Sequence, residues 1–176
     1  MTILNVITAP DPILKEKSAV VGQVDDNVRK LMDDMLVTMY HDHGVGLSAV
    51  QVGILQRILV IDLQDDNDQS EREQGFFPLF MANPEIIEQS TELVLATEGC
   101  LSLPEQRVEI ARPDSIKTKF LDYTNKSQEI TVSGWLARAI QHEIDHLNGK
   151  LLVDYLSNIK RDVALRKLKK LKKNCL

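Results

Sequence analysis

Two cysteines, Cys100 and Cys175, in 176 residues cannot build a disulfide framework, so this chain must be held by a core rather than by cross-links. Aromatic residues make up only 5%, with a single tryptophan, which leaves aliphatic side chains and methionine to fill that core. No stretch approaches the ~18 uninterrupted apolar residues that a bilayer-spanning helix needs. The opening MTILNVITAPDP has no basic region, apolar run or cleavage site. These absences predict a cytoplasmic protein in a reducing compartment, with no membrane partner. Repeats, low-complexity tracts and linkers are also missing. What is present, 43% apolar and 27% charged residues, lies in the ordinary range for a globular chain. The length is enough to bury about two-thirds of the unfolded surface in one core, and one catalytic-size domain over 1–176 is expected.

The net charge of −5 hides an asymmetry, because Lys160 to Lys173 holds eight basic residues against the single acid Asp162. A basic end on an acidic body points to contact with a polyanion, or else to the solvated face of an amphipathic helix. Asp11 before Pro12 suggests an N-cap and a short helix to Lys17. From Asp25, Val28, Leu31, Met32, Met35, Leu36 and Met39 recur at helical spacing up to Gly44, which is read as the stop. Between Arg57 and Thr131 the texture changes to strands, near 57–63, 80–82, 85–89, 93–98, 107–111, 115–121 and 128–132. The polar stretch 64–75 reads as a mobile surface loop. Trp135 to Asn148 is helical and apolar on several faces, hence buried, with Gly149 as its stop, and a basic surface helix follows from Ser157. Helix, strands, then helices without regular alternation predict an α+β fold, antiparallel sheets packed around the buried helix.

The strongest chemical signal is His142-Glu143-Ile144-Asp145-His146 on that helix. Residues four apart share a face, so two imidazoles can clamp one metal while Glu143 reaches its water as a general base, the arrangement used in metalloproteases. The alternative is a satisfied polar core, but two histidines and two acids on a buried helix are costly without partners. Protease motifs take a third ligand downstream. Here no His or Glu follows His146, so the third ligand must lie upstream, and Cys100 in TEGCLSLP is the best candidate, its bland reading being a small buried hydrophobe. Cys175, next to the last residue, is read as frayed and irrelevant. In GVGLSAVQ, two glycines at i and i+2 allow a close backbone approach, though the segment could be a mere turn. Gln51 at its end has an amide that can donate to a developing oxyanion, where the plain reading is a surface glutamine.

The segments GVGLSAVQ, EGCLSLP and QHEIDH, in this order and spacing, resemble the three signature motifs of the peptide deformylase family, and the likeness extends over nearly the whole chain. The resemblance implies a metal-dependent hydrolase that removes the formyl group from the N-terminal methionine of new polypeptides and releases formate. It implies Cys100, His142 and His146 as ligands of one divalent ion, ferrous iron in the cell with zinc, nickel or cobalt as substitutes. Glu143 would be the base, Gln51 and the Leu101 N–H the oxyanion donors. Val45, Gly46 and Gly99 would bind the peptide, and Trp135 and Arg138 would flank the methionine pocket. Ser48 stands where the family usually has alanine, and Arg138 where an aliphatic residue is common. Arg138 could narrow the pocket or pair with an acidic substrate residue.

Glu98 and Asp145 flank ligands and could support them, with Arg107 as a partner for Glu98. His41 and His43 read as helix-end surface residues. The basic helix resembles the segment by which long-form members dock near the ribosomal exit tunnel, and a monomer is expected. Two other classes remain in view. An endoprotease would need the downstream ligand that is missing here, and a structural metal or binding protein would have a fourth protein ligand and no general base.

Overall fold

The computed structural model describes residues 1–64 and 77–174. Beyond Gln64 itself, the expected mobile loop lies outside the described residues, as does Cys175. The elements are helices α1 (Asp26–His41), α2 (Gly134–Leu147) and α3 (Asn158–Asn174). The strands are β1 (Gly46–Ser48), β2 (Ile58–Ile61), β3 (Leu79–Gln89), β4 (Leu93–Glu98), β5 (Val108–Pro113), β6 (Ser115–Leu121) and β7 (Ser127–Ser133). Short 3-10 turns cover Pro12–Lys15, Ala49–Val52 and Leu152–Tyr155. All strand pairings are antiparallel, in one five-stranded sheet of order β1-β2-β3-β6-β7 and a separate β4-β5 hairpin. The α+β class is as expected.

β2 shows why the sheet is covered on both sides. Its four apolar residues are all buried. By the two-residue period of a strand, Leu59 and Ile61 join Met81, Ile116 and Phe120 against Leu136, Ala137, Ile140 and Ile144 of α2. Ile58 and Val60 face Val28, Met32, Met35 and Met39 of α1. The sheet is therefore the middle layer, and α2 is buried because it packs on one of its faces. A third cluster, built from Leu14, Leu103, Val108, Ile110, Leu151, Leu152 and Val153, receives Ala164 and Leu168 of α3, so the basic helix is anchored by a narrow apolar stripe.

Local chemistry sets the ends. Asp25 caps α1 by accepting from Val28 N at 2.9 Å, and Asp11 does the same for Ile13 N at 3.2 Å, although the expected helix to Lys17 is only a 3-10 turn ending at Lys15. The expected stop at Gly44 is displaced by one residue. His43 takes the left-handed conformation, with φ 57°, while a Cβ at Gly44 would come within 2.7 Å of the end of the Leu101 side chain, which would have to shift. Gly149 does end its helix as expected, at φ 72°, with any Cβ running into the main-chain oxygen of Lys15. The two strands expected at 80–82 and 85–89 are one strand, β3. Pro84 lacks an N–H and Asn83 turns left-handed, and the sheet absorbs the break as a register shift between Ala82 and Glu85. Asn83 is held by bonds to Val21 N (2.8 Å) and Val21 O (2.7 Å).

Candidate metal centre and cleft

α2 carries His142, Glu143 and His146 on the face turned toward β1 and the turn after β4. That turn, Gly99 to Leu103, is closed by Leu103 N donating to Cys100 O at 3.0 Å. It brings Cys100 Sγ to 3.2 Å from His146 Nε2, which is itself 3.2 Å from His142 Nε2. The three donor atoms lie within 4.8 Å of one another. Two imidazole nitrogens and a sulfur converging in a buried place repel as lone pairs unless something positive lies among them. A soft thiolate with two imidazoles suits a first-row dication, so the residues present fit a metal. Burial pulls His146 well below its ordinary pKa, with nearby His142 and Arg112 adding to this, which keeps an imidazole lone pair available. Burial also opposes the charged form of His142, but hydrogen bonds with Cys100 and Glu98 outweigh it and raise that pKa well above its usual value.

Behind the donors lies a buried charged network. Glu98, at the end of β4, takes His142 Nδ1 at 2.9 Å, Arg112 Nε at 2.6 Å and one Arg138 nitrogen at 2.6 Å. Arg112 goes on to Asp145 (2.9 Å), and Tyr155 also donates to Asp145 (2.6 Å). Burial by itself would raise the Glu98 pKa, but hydrogen bonds from His142 and Arg112 win and hold it at about 2. The expected Arg107 partner is therefore wrong. Arg107 packs its guanidinium over Gly99, and Arg112, whose strand places it beside Glu98 in space, takes its place. Arg138 also departs from expectation. It is 6% exposed and spends its donors on Glu98, Ile110 O (3.0 Å) and Val94 O (2.6 Å), so it is not a free cation for an acidic substrate.

In front of the donors opens a cavity of about 560 Å³ lined by Val45, Gly46, Gln51, Gly99, Cys100, Leu101, Trp135, Arg138, His142 and Glu143. All residues expected for the site except His146 line it, and His146 sits 1% exposed behind His142. Trp135 is 62% exposed, with its ring 5.9 Å from the Arg138 guanidinium carbon. Gln51 is not a surface residue. Its Oε1 accepts from Ser48 N at 2.8 Å, and its Nε2 faces Ser102 Oγ (3.1 Å) and Cys100 Sγ (3.6 Å). Glu143 is buried beside Ser48, whose hydroxyl is 2.7 Å from Oε2. Burial raises the Glu143 pKa, against the charge of His142 and the Ser48 hydrogen bond, the direction in which a carboxylate becomes a better proton acceptor. His41 and His43 are exposed, as expected, although His43 edges the cavity. Sequence reasoning missed Arg112, Ser102 and the contact made by Ser48. Only a buried polar residue without a local partner could have flagged them, and burial is not visible in the chain itself.

Gly46 is constrained by this packing. A Cβ there would lie 2.5 Å from Glu143 Oε1 and 3.0 Å from its carboxyl carbon, closer than real Cβ contacts. Gly46→Ala is therefore expected to lower kcat by roughly tenfold or more by pushing the carboxylate aside, with the melting temperature nearly unchanged; steady-state kinetics beside a thermal melt check both halves.

Fold and donor set define a class, an α+β chain in which three side chains that could hold a metal converge, two from a buried helix and one from the turn after β4, with an acid beside them. The model of the polypeptide deformylase family matches residues 3–162. The chain is 64% identical over 174 residues to peptide deformylase 1 of Rickettsia conorii, covering 99% of both, and 52% identical over 175 residues to the peptide deformylase of Orientia tsutsugamushi, covering 98% of this chain and 97% of the other. The crystal structure of peptide deformylase from Ehrlichia chaffeensis superposes with a TM-score of 0.90 at 43% identity, covering 98% of each chain. This chain belongs to the polypeptide deformylase family. It is a hydrolase that removes the N-formyl group from nascent peptides, and dependence on a metal is general to the family.

Proposed function

We propose that residues 1–176 act as a single catalytic domain in which Cys100, His142 and His146 hold one divalent ion and Glu143 moves the protons of formyl hydrolysis. The convergence of three donors within 4.8 Å beside a buried acid carries this reading. An ion held there supplies Lewis acidity that makes water a nucleophile at neutral pH and polarises a carbonyl oxygen. Glu143 accepts the proton of the attacking water and delivers it to the departing amine, so that formamide and water become formate and a free N-terminus. As the formyl carbon turns tetrahedral, Gln51 Nε2 and the Leu101 N–H donate to its oxygen. Among the described residues nothing accepts from that N–H, and one such donor is worth about 3–4 kcal/mol. Gly46 lies on the edge strand β1 and Gly99 in the turn after β4, where a peptide can add as a strand, and Val45 lines the cavity beside them. The methionine side chain lies against Trp135 and the stem of Arg138.

Ferrous iron is the proposed ion. A reducing cytoplasm suits it and the ligating thiol, and no described helix is long and apolar enough to cross a membrane. Formate release from a formyl-methionyl tripeptide, by protein purified without oxygen and loaded with ferrous iron, tests the reading. Activity is expected to disappear on chelation and return with iron or nickel. Full activity in chelator with no bound metal would sink it.

The basic face of α3 is proposed to dock on the ribosome near the exit tunnel, where phosphate-rich RNA attracts Lys and Arg. Deleting α3 is a poor test, because Ala164 and Leu168 belong to the core. Lys160, Lys167 and Lys170 are exposed, and changing all three to Gln is expected to weaken ribosome co-sedimentation and flatten its salt dependence by about two to three units of log–log slope. An unchanged salt slope would remove the docking proposal while leaving the hydrolase intact.

A further inference from the structure

Ser48 ends β1 with no exposure to solvent, and it is bonded to two side chains to which the proposed mechanism assigns chemistry. Its N–H donates to Gln51 Oε1 at 2.8 Å. Its hydroxyl lies 2.7 Å from Glu143 Oε2 and 2.9 Å from the Glu143 main-chain oxygen. The two oxygens of the carboxylate are therefore not equivalent. Oε2 is tied to the strand, while Oε1 points at Gly46, whose missing side chain leaves room for it in the wall of the cavity.

We propose, on the reading that Glu143 is the general base, that Ser48 is a positioning residue: it anchors Oε2 and so reserves Oε1 for proton transfer. The terminal torsion of a glutamate is broad, and a carboxylate free to turn would meet the water in productive geometry only part of the time. Misplacement on the scale of an ångström costs as much as ~100-fold in rate. A hydroxyl donating to a charged oxygen makes one of the stronger hydrogen bonds. It comes from a different element, an edge strand 95 residues away in sequence, so the sheet and the helix hold the base between them. Through its N–H the same residue fixes the Gln51 amide with Nε2 turned toward Cys100, which places base and oxyanion donor in a common frame.

The test is formate release by the iron-loaded full chain in four forms, wild type, Ser48→Ala, Glu143→Asp and the double variant, with bound metal measured in each and Glu143→Ala alongside. Alanine removes one oxygen atom from a packed position and adds no volume, so the fold is retained. Ser48→Ala is expected to lower kcat about tenfold with KM within about twofold and the bound metal unchanged. Glu143→Asp withdraws the carboxylate from the hydroxyl by one methylene, so adding Ser48→Ala to it is expected to cost less than about twofold more. Undiminished kcat in Ser48→Ala overturns the inference, as does a loss that multiplies in full with Glu143→Asp, since either makes Ser48 a packing residue. If Glu143→Ala keeps the wild-type rate, the base assignment fails and the inference with it. If Glu143→Ala is inactive while Ser48→Ala is not slowed, only the positioning role fails.

Discussion

Glu143→Ala is expected to reduce kcat for formate release by about 10²–10⁴-fold, the usual contribution of a positioned general acid–base group, while the protein keeps its metal and its fold. Glu143 touches neither of these functions directly. The proposed donors are Cys100, His142 and His146, and the Glu143 side chain bonds to Ser48 alone among the described residues. Steady-state kinetics on samples matched for metal content separates loss of chemistry from loss of the ion. A variant that loses metal in proportion to activity would show that Glu143 supports the donors and does not carry protons. KM is expected to move little, because the carboxylate serves the transition state more than the bound formyl-peptide. Burial raises the pKa of this group, so the replacement should also remove the acid limb of the rate profile.

The second large effect is expected at Glu98, where stability and metal binding fall together. Glu98→Gln leaves two buried guanidinium groups, Arg112 at 4% and Arg138 at 6% exposure, facing a neutral amide. Breaking a buried ion pair from one side costs about 3–5 kcal/mol, which for a chain of this size lowers the melting temperature by roughly 10 °C. The same carboxylate orients His142 through Nδ1 at 2.9 Å, and loss of such a support typically weakens metal binding about 10–100-fold. Thermal melts and a chelator competition read the two effects separately. A pH series adds a sign. Glu98 is held at about 2 in the folded chain against an ordinary 4.5, so its contribution is complete above the ordinary value, shrinks as pH falls below it, and is gone once pH has passed under about 2. Wild type and variant should therefore differ fully at pH 7 and converge in strong acid. A gap that stays constant through that window would place the stabilisation outside the Glu98 charge.

The basic helix shows how a single stretch can be partly legible. Its cations and apolar period were readable as a surface helix, and α3 is that helix. Its buried contacts, Ala164 and Leu168 among the described residues, depend on a cluster that includes Leu14 and Val108, both far from it in sequence. Removing α3 would therefore open that cluster.

The sequence by itself determined the helix with two histidines four apart, the apolar period of α1, the α+β class and the three motifs whose order marks the family. Those features are local, since periodicity and spacing act within a few turns of backbone. Only the tertiary structure decided who partners whom across long separations. Arg112 rather than Arg107 meets Glu98 because Val108, Ile110 and Arg112 alternate onto the buried face of β5, the face on which Glu98 lies opposite Val108, while Arg107, one residue outside the ladder, turns over Gly99. Arg138 becomes a buried strut because α2 carries it under β4 and β5, within reach of Val94 and Ile110 oxygens. Ser48 reaches Glu143 only because β1 is laid against α2. The physical reason is common to all three. A buried charge or hydroxyl must be satisfied by whatever the fold brings within about 3 Å, and the chain order says nothing about which group that will be.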